Sequence, residues 1–251
     1  MYRLASDCAR DAVVRKFAAP ALELIMLDKA LKGEFNRERA RLIFGEMYAT
    51  ALAGDGHVGP DKIMLTVGRE LGGGAALLRL ATLLLLNQLL PDGQKFGIRT
   101  YIDEGVYKIA ATGENAARLM RLLAISAPSA GGEYLSDKFN EFVKEARVEV
   151  RVDNIRLTES GYVAADLTIS EAGAAVKYNV YLREADILLQ FQSTDRSRVE
   201  LAARLLKLAG VSAEVEKVGG RDKWRVRATT NVLAAGREEL RDAVRKVVEE
   251  A

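Results

Sequence analysis

The sequence predicts an α+β protein built from two related αββαββα-like halves, each an antiparallel sheet with helices packed on one side. Three observations lead there. Segments with apolar residues at helical spacing alternate with short segments of period-two alternation, in the order helix, two strands, helix, two strands, helix. Gly, Pro, Asp and Asn cluster at the spacing hairpins require. The chain of 251 residues is 49% hydrophobic and 29% charged, enough apolar material for one large core or two modest ones.

Residues 5–32 read as a helix that Pro20 interrupts and Gly33 ends. Ala21, Leu22, Leu24, Ile25, Leu27 and Leu31 form its apolar stripe. Together, residues 1–33 make an N-terminal helical arm. From Asn36 a second helix runs through RERARLIFGEMYATALA to Gly54-Asp55-Gly56, where glycine allows the positive φ that leaves a helix. A strand pair, 57–58 and 62–67, turns on Gly59-Pro60-Asp61.

Gly72-Gly73-Gly74 reads as a flexible corner, since no Lys-Ser or Lys-Thr follows to make a phosphate-binding loop. The apolar helix 75–90 comes next, closed by Pro91-Asp92-Gly93. Strands KFGIRTYI and GVYKIAAT meet across Asp103-Glu104-Gly105, and a helix 114–125 completes a first half, 34–127. A Ser/Ala/Pro/Gly-rich link, 126–132, leads into a second half, 128–251. There the reading gives a helix 136–146 and four strands near 148–157, 161–169, 174–183 and 186–192. A helix 197–208, strands 213–218 and 223–229 around Gly219-Gly220-Arg221-Asp222, and a helix 236–249 follow. The halves share element order but no evident sequence identity, and the second carries extra strand length.

Composition removes several function classes. One cysteine, Cys8, excludes an internal disulfide, and with one histidine, His57, it leaves no Cys/His set for zinc. Ser197 and Ser212 lack a histidine partner to build a Ser-His-Asp triad. The apolar run 75–90 is broken by Arg79, Asn87 and Gln88 and is too short to span a bilayer, so no membrane association is expected. Met1–Cys8 shows no secretory signal, which points to the cytoplasm. A net charge of +2 argues against a polybasic coat, so any nucleic-acid surface must arise from sorting charges between faces. Few Asn, Gln, Cys and His beside many Arg, Glu, Ala, Leu and Val fit a thermophile.

The stretch YATALAGDG, Tyr48–Gly56, within this element order resembles one half of a LAGLIDADG homing endonuclease. Gly45, Ala49 and Ala53, four residues apart, would let a second helix approach closely. The resemblance implies a saddle of sheets over nucleic acid. It also implies Asp55 as catalytic metal ligand, with Mg²⁺ as cofactor if the protein cleaves. Metal-assisted phosphodiester cleavage needs a pair of carboxylates. The second half, beginning YLSDKFNEFVKEARVEV, has no small-residue stripe or acidic-Gly corner, and Glu145 is a poor stand-in. Asp55 therefore stays open between metal ligand and turn residue. His57 beside it is a candidate ligand or an ordinary strand-start residue. Further along, YNVYLREADILLQFQSTDRSRVELAARLLKLAG and GGRDKWRVRATTNVLAAGREELRDAVRKVVEEA, within Tyr178–Ala251, resemble the PaRep repetitive paralogue family of hyperthermophilic archaea. That likeness implies an archaeal cytoplasmic protein and supplies no mechanism.

The strand faces carry the functional expectation. Alternation puts Lys177, Asn179, Tyr181 and Arg183 opposite Tyr178, Val180 and Leu182, and Gln190 and Gln192 opposite Leu189 and Phe191. It likewise puts Lys95, Arg99 and Tyr101 opposite Phe96 and Ile98, and Lys223, Arg225 and Arg227 opposite Trp224 and Val226; Lys62 opens another strand. These side chains suit phosphates and base edges, with few carboxylates expected among them because acids such as Glu238, Glu239 and Asp242 fall in helices. The expected function is nucleic-acid binding, DNA rather than RNA, by a non-cleaving relative of the homing-endonuclease fold. Two alternatives stand beside it. One is a metal-dependent endonuclease using Asp55 from each chain of a homodimer, and the other is a protein-interaction module acting through a sheet face or residues 1–33.

Overall fold

The computed structural model describes residues 12–69, 73–127, 129–130, 133–134, 137–183, 186–220 and 222–250. The helices are α1 (Ala12–Leu31), α2 (Arg37–Asp55), α3 (Gly73–Gln88), α4 (Glu114–Ser126), α5 (Asp137–Lys144), α6 (Arg196–Leu208), α7 (Thr230–Leu233) and α8 (Glu238–Glu249). The strands are β1 (His57–Gly59), β2 (Lys62–Arg69), β3 (Arg99–Asp103), β4 (Val106–Thr112), β5 (Ser129–Ala130), β6 (Glu133–Tyr134), β7 (Glu149–Leu157), β8 (Val163–Glu171), β9 (Ala174–Arg183), β10 (Asp186–Ser193), β11 (Val215–Lys217) and β12 (Trp224–Thr229). The chain is an α+β protein of two compact units, Met1–Pro128 with Tyr134–Glu145, and Ser129–Glu133 with Ala146–Ala251. Thus α5, which sequence order alone groups with the second half, belongs to the first unit.

In the first unit the sheet runs β1-β2-β4-β3, antiparallel throughout. Its inward residues Ile63, Leu65, Ile109 and Ala111 share one apolar layer with Leu52 of α2, Leu83 of α3 and Leu119 of α4. The Asn36 side chain accepts the Arg39 N–H at 2.9 Å, satisfying an orphan donor and fixing the start of α2. The Tyr48 hydroxyl donates to the Arg79 carbonyl at 2.6 Å, tying α2 to α3 inside this layer.

The first helix departs from expectation in two ways. α1 runs through Pro20, because packing against α2 and α3 outweighs the one backbone hydrogen bond that proline lacks. Among its described side chains the buried ones are Pro20, Leu27 and Ala30, while Leu22 and Ile25 of the expected stripe stay exposed. Residues 5–11 of that expected helix lie outside the described residues. Gly33 at φ 82° ends α1 as expected.

In the second unit six antiparallel strands run β11-β12-β10-β9-β8-β7. α6 covers β8, β9, β10 and β12, and α8 packs on β7. Val199, Ala202, Leu205 and Leu206 of α6 are buried, as are Leu167, Tyr178, Val180, Leu189 and Val226 of the sheet. The Tyr178 hydroxyl donates to the Ala202 carbonyl at 2.7 Å. That bond satisfies the polar end of a fully buried ring.

The likeness between the two units extends beyond element order. β1-β2-α3-β3-β4 and β9-β10-α6-β11-β12 are each a hairpin, a crossover helix and a second hairpin, and in each the strands lie first-second-fourth-third. The second unit adds the β7-β8 hairpin to the edge of this motif.

Candidate nucleic-acid interface

Because directly opposed residues in an antiparallel sheet share a face, the pairing register fixes which side chains stand together. On the second sheet, Arg227, Gln190, Asn179, Asp166 and Asp153 are opposed in succession across β12, β10, β9, β8 and β7. A neighbouring row carries Thr229, Leu188, Tyr181, Ala164 and Arg156. Arg225 opposes Gln192 on one flank, and Lys177 opposes Thr168 and then Arg151 on the other. Lys177, Asn179, Tyr181, Arg183, Gln190, Gln192, Arg225 and Arg227 therefore share the face away from Tyr178, Val180, Leu189 and Val226. Lys223 lies just before β12, its carbonyl accepting the Val218 N–H at 2.9 Å.

This face holds more negative charge than expected. Glu216 of β11 pairs with both Arg225 and Arg227, at 2.9 Å each. The two guanidiniums remain partly exposed, at 32% and 53%. Asp166 accepts from Arg156 at 3.1 Å and from Lys177 and Asn154 at 3.3 Å each. Burial acts to raise the Asp166 pKa, but these three donors together hold its carboxyl below the ordinary carboxylate value. The Arg225 hydrogen bond, with Arg227 nearby, does the same for Glu216 against a smaller desolvation effect. The hairpin expected of strands 213–218 and 223–229 sets Glu216 opposite Arg225, so this carboxylate is legible in the sequence although the strand faces taken singly omit it. Arg156 escapes the sequence reading because the alternation of β7 breaks between Asp153 and Arg156, where Asn154 at φ 56° forms an irregularity and swings the arginine back toward Asp166.

On the first sheet Lys62, Arg99 and Tyr101 fall on the face away from Ile63, Leu65 and Ile109, with Met64 and Lys108 between them. The Lys62 ammonium lies 5.9 Å from the centre of the Tyr101 ring. The Tyr101 hydroxyl donates to the Met64 sulfur at 2.7 Å, and Lys108 pairs with Asp103. Lys108 stands at a polar position of GVYKIAAT and is legible there. Lys95 is not on this face: β3 begins only at Arg99, since the Phe96 N–H and carbonyl bond the Asn87 side chain at 3.0 and 2.7 Å. Lys95 itself pairs with Asp92 at 2.7 Å beside the short 3₁₀ turn Asp92–Gln94.

Asp55 is the exposed last residue of α2. Gly56 leaves the helix at φ −87°, so positive φ is not what requires glycine; a Cβ there would lie 2.6 Å from Leu52 Cα. The Lys138 ammonium of α5 donates to the carbonyls of Leu52, Gly54 and Gly56 at 3.4, 3.1 and 2.9 Å. A side-chain cation thus already sits against the negative end of the helix, where it would oppose a divalent ion. No cluster of three or more His, Cys, Asp or Glu suited to a metal occurs among the described residues. The Gly45 stripe does bring a helix close: a Cβ on Gly45 would fall 2.2 Å from Ser126 Oγ, so the neighbour is α4 of the same unit. Among the described residues no helix is long and apolar enough to cross a membrane.

Comparison with models of known families and with curated proteins returns no match.

Proposed function

We propose that the protein binds nucleic acid, DNA rather than RNA, through the open faces of its two sheets, as a non-cleaving relative of the homing-endonuclease fold acting in the cytoplasm. The observation that carries this reading is the cross-strand register, which gathers eight Lys, Arg, Asn, Gln and Tyr side chains on the uncovered side of the second sheet. Amides at the centre suit base edges and cations at the margins suit phosphates. The Lys138 cap on the corner that carries Asp55 supports binding without cleavage.

The test is fluorescence anisotropy of labelled duplex DNA over a salt series, with Lys177→Ala/Arg183→Ala/Arg227→Ala and Asp55→Asn beside the parent. Expected are an affinity that falls as salt rises, a loss of about tenfold or more in the triple variant, and no change in Asp55→Asn. Salt-independent binding, or a triple variant that binds like the parent, sinks the reading. Mg²⁺-dependent nicking by the parent that disappears in Asp55→Asn would replace it with the endonuclease.

A further inference from the structure

The four edges of the two larger sheets are not equally defended. β1 and β11 are three residues long. β7 is nine residues long, but it carries an irregularity between Asp153 and Arg156, alternating charges, and α8 packed against it. Such devices prevent strands from adding to an edge. β3 has none of them beyond the charges at its two ends, Arg99 and Asp103. Its five residues, Arg99-Thr100-Tyr101-Ile102-Asp103, pair with β4 in unbroken register, contain no proline, and are all exposed, Ile102 to 53%. Among the described residues, no strand pairs with its free edge.

The sequence of that strand is complementary to itself. Two copies paired antiparallel about a two-fold axis through Tyr101 would oppose Arg99 with Asp103 of the partner subunit, Thr100 with Ile102 of the partner subunit, and Tyr101 with its own copy. Both sheets would then keep their polar sides on the same surface, because directly opposed residues share a face. Among the described residues Arg99 forms no ion pair within the chain, while Asp103 pairs only with Lys108 and stays half exposed. Each end of β3 therefore offers a charge that the other end of a second copy satisfies.

We propose that a second copy of this chain docks on β3, joining the two four-stranded sheets into one eight-stranded sheet with β3 against β3 at its centre. The symmetry is isologous, so the contact closes at two chains. Pairing five residues covers far less than the ~1,200 Å² of a standard interface, which makes the dimer weak and concentration-dependent. The joined sheet sets the Lys62, Arg99 and Tyr101 surface of one copy beside that of the other. The dimer does not depend on what that surface binds.

Sedimentation equilibrium over about 1 μM to 1 mM chain tests it, with Arg99→Asp, Asp103→Arg and an equimolar mixture of the two variants. The parent should show a reversible monomer–dimer equilibrium. Each single variant opposes like charges at both ends of the pair, and should dissociate at least about tenfold more readily. The mixture should regain parent-like dimer, since the carboxylate introduced by Arg99→Asp faces the guanidinium introduced by Asp103→Arg, and the native Arg99–Asp103 contact survives at the opposite end. Circular dichroism confirms that the variants fold, as expected for exposed positions. A parent that stays monomeric to about 1 mM, single variants that dimerise like the parent, or a mixture no better than its components would each overturn the proposal.

Discussion

At the scale of single residues, the most informative positions are those where a glycine or a charge meets a close neighbour. Gly45 admits α4 because a Cβ would overlap both Ser126 Oγ and Ser126 Cβ, and Ser126 is fully buried with its hydroxyl donating to the Leu122 carbonyl at 2.9 Å. The serine cannot swing into solvent. Gly45→Ala should therefore destabilise the protein by about 1–3 kcal/mol in denaturant unfolding, the usual cost of overpacking. Combining it with Ser126→Gly should return part of that loss, beyond what the single variants add up to. The sequence shows the small stripe but not what it faces. Gly56 is a second case, because its contact with Leu52 and not its backbone freedom explains the residue.

At the scale of elements, the six-stranded sheet holds two carboxylate-centred clusters on its open face. Both carboxyls titrate below their ordinary values, so the unfolded chain binds protons more tightly than the folded one in the acid range. Their contribution to stability is present above the unfolded values of about 3.9 for Asp and 4.3 for Glu, and is lost as pH falls through the lower folded values. Thermal unfolding from about pH 6 down to about pH 3 should show this as a falling acid limb. In Asp166→Asn the limb should be shallower below about pH 4, with little change in slope above it. An unchanged limb would mean that Arg156 and Lys177 gain nothing from the ionised carboxylate. β7 also shows how an irregularity alters side-chain placement, since without the Asn154 break Arg156 would not be returned to the Asp166 face.

At the scale of the whole molecule, a net charge of +2 conceals a proposed binding face whose cations are largely matched by acids. Counterion release scales with the number of phosphates that protein cations neutralise. Cations already shared with Asp166 and Glu216 should contribute less. The variant Asp166→Asn/Glu216→Gln should therefore bind duplex DNA more tightly than the parent, with a steeper dependence of log affinity on log salt. Weaker binding would show instead that the carboxylates are needed to hold the arginines in place.

The sequence by itself determined the α+β class, the order of nearly every element and the sorting of polar and apolar residues on β9, β10 and β12. These follow from local periodicity and turn chemistry, which a chain carries within windows of about ten residues. Tertiary structure decided the rest. The shared first-second-fourth-third strand order and the place of α5 in the first unit depend on contacts between distant segments. Lys138 caps α2 from far along the chain. Lys95 falls off the expected face for the same reason: the Asn87 side chain takes the backbone groups of Phe96 and so delays the strand to Arg99. A local pattern says which way a side chain alternates, whereas partner and charge balance are set by what packs beside it.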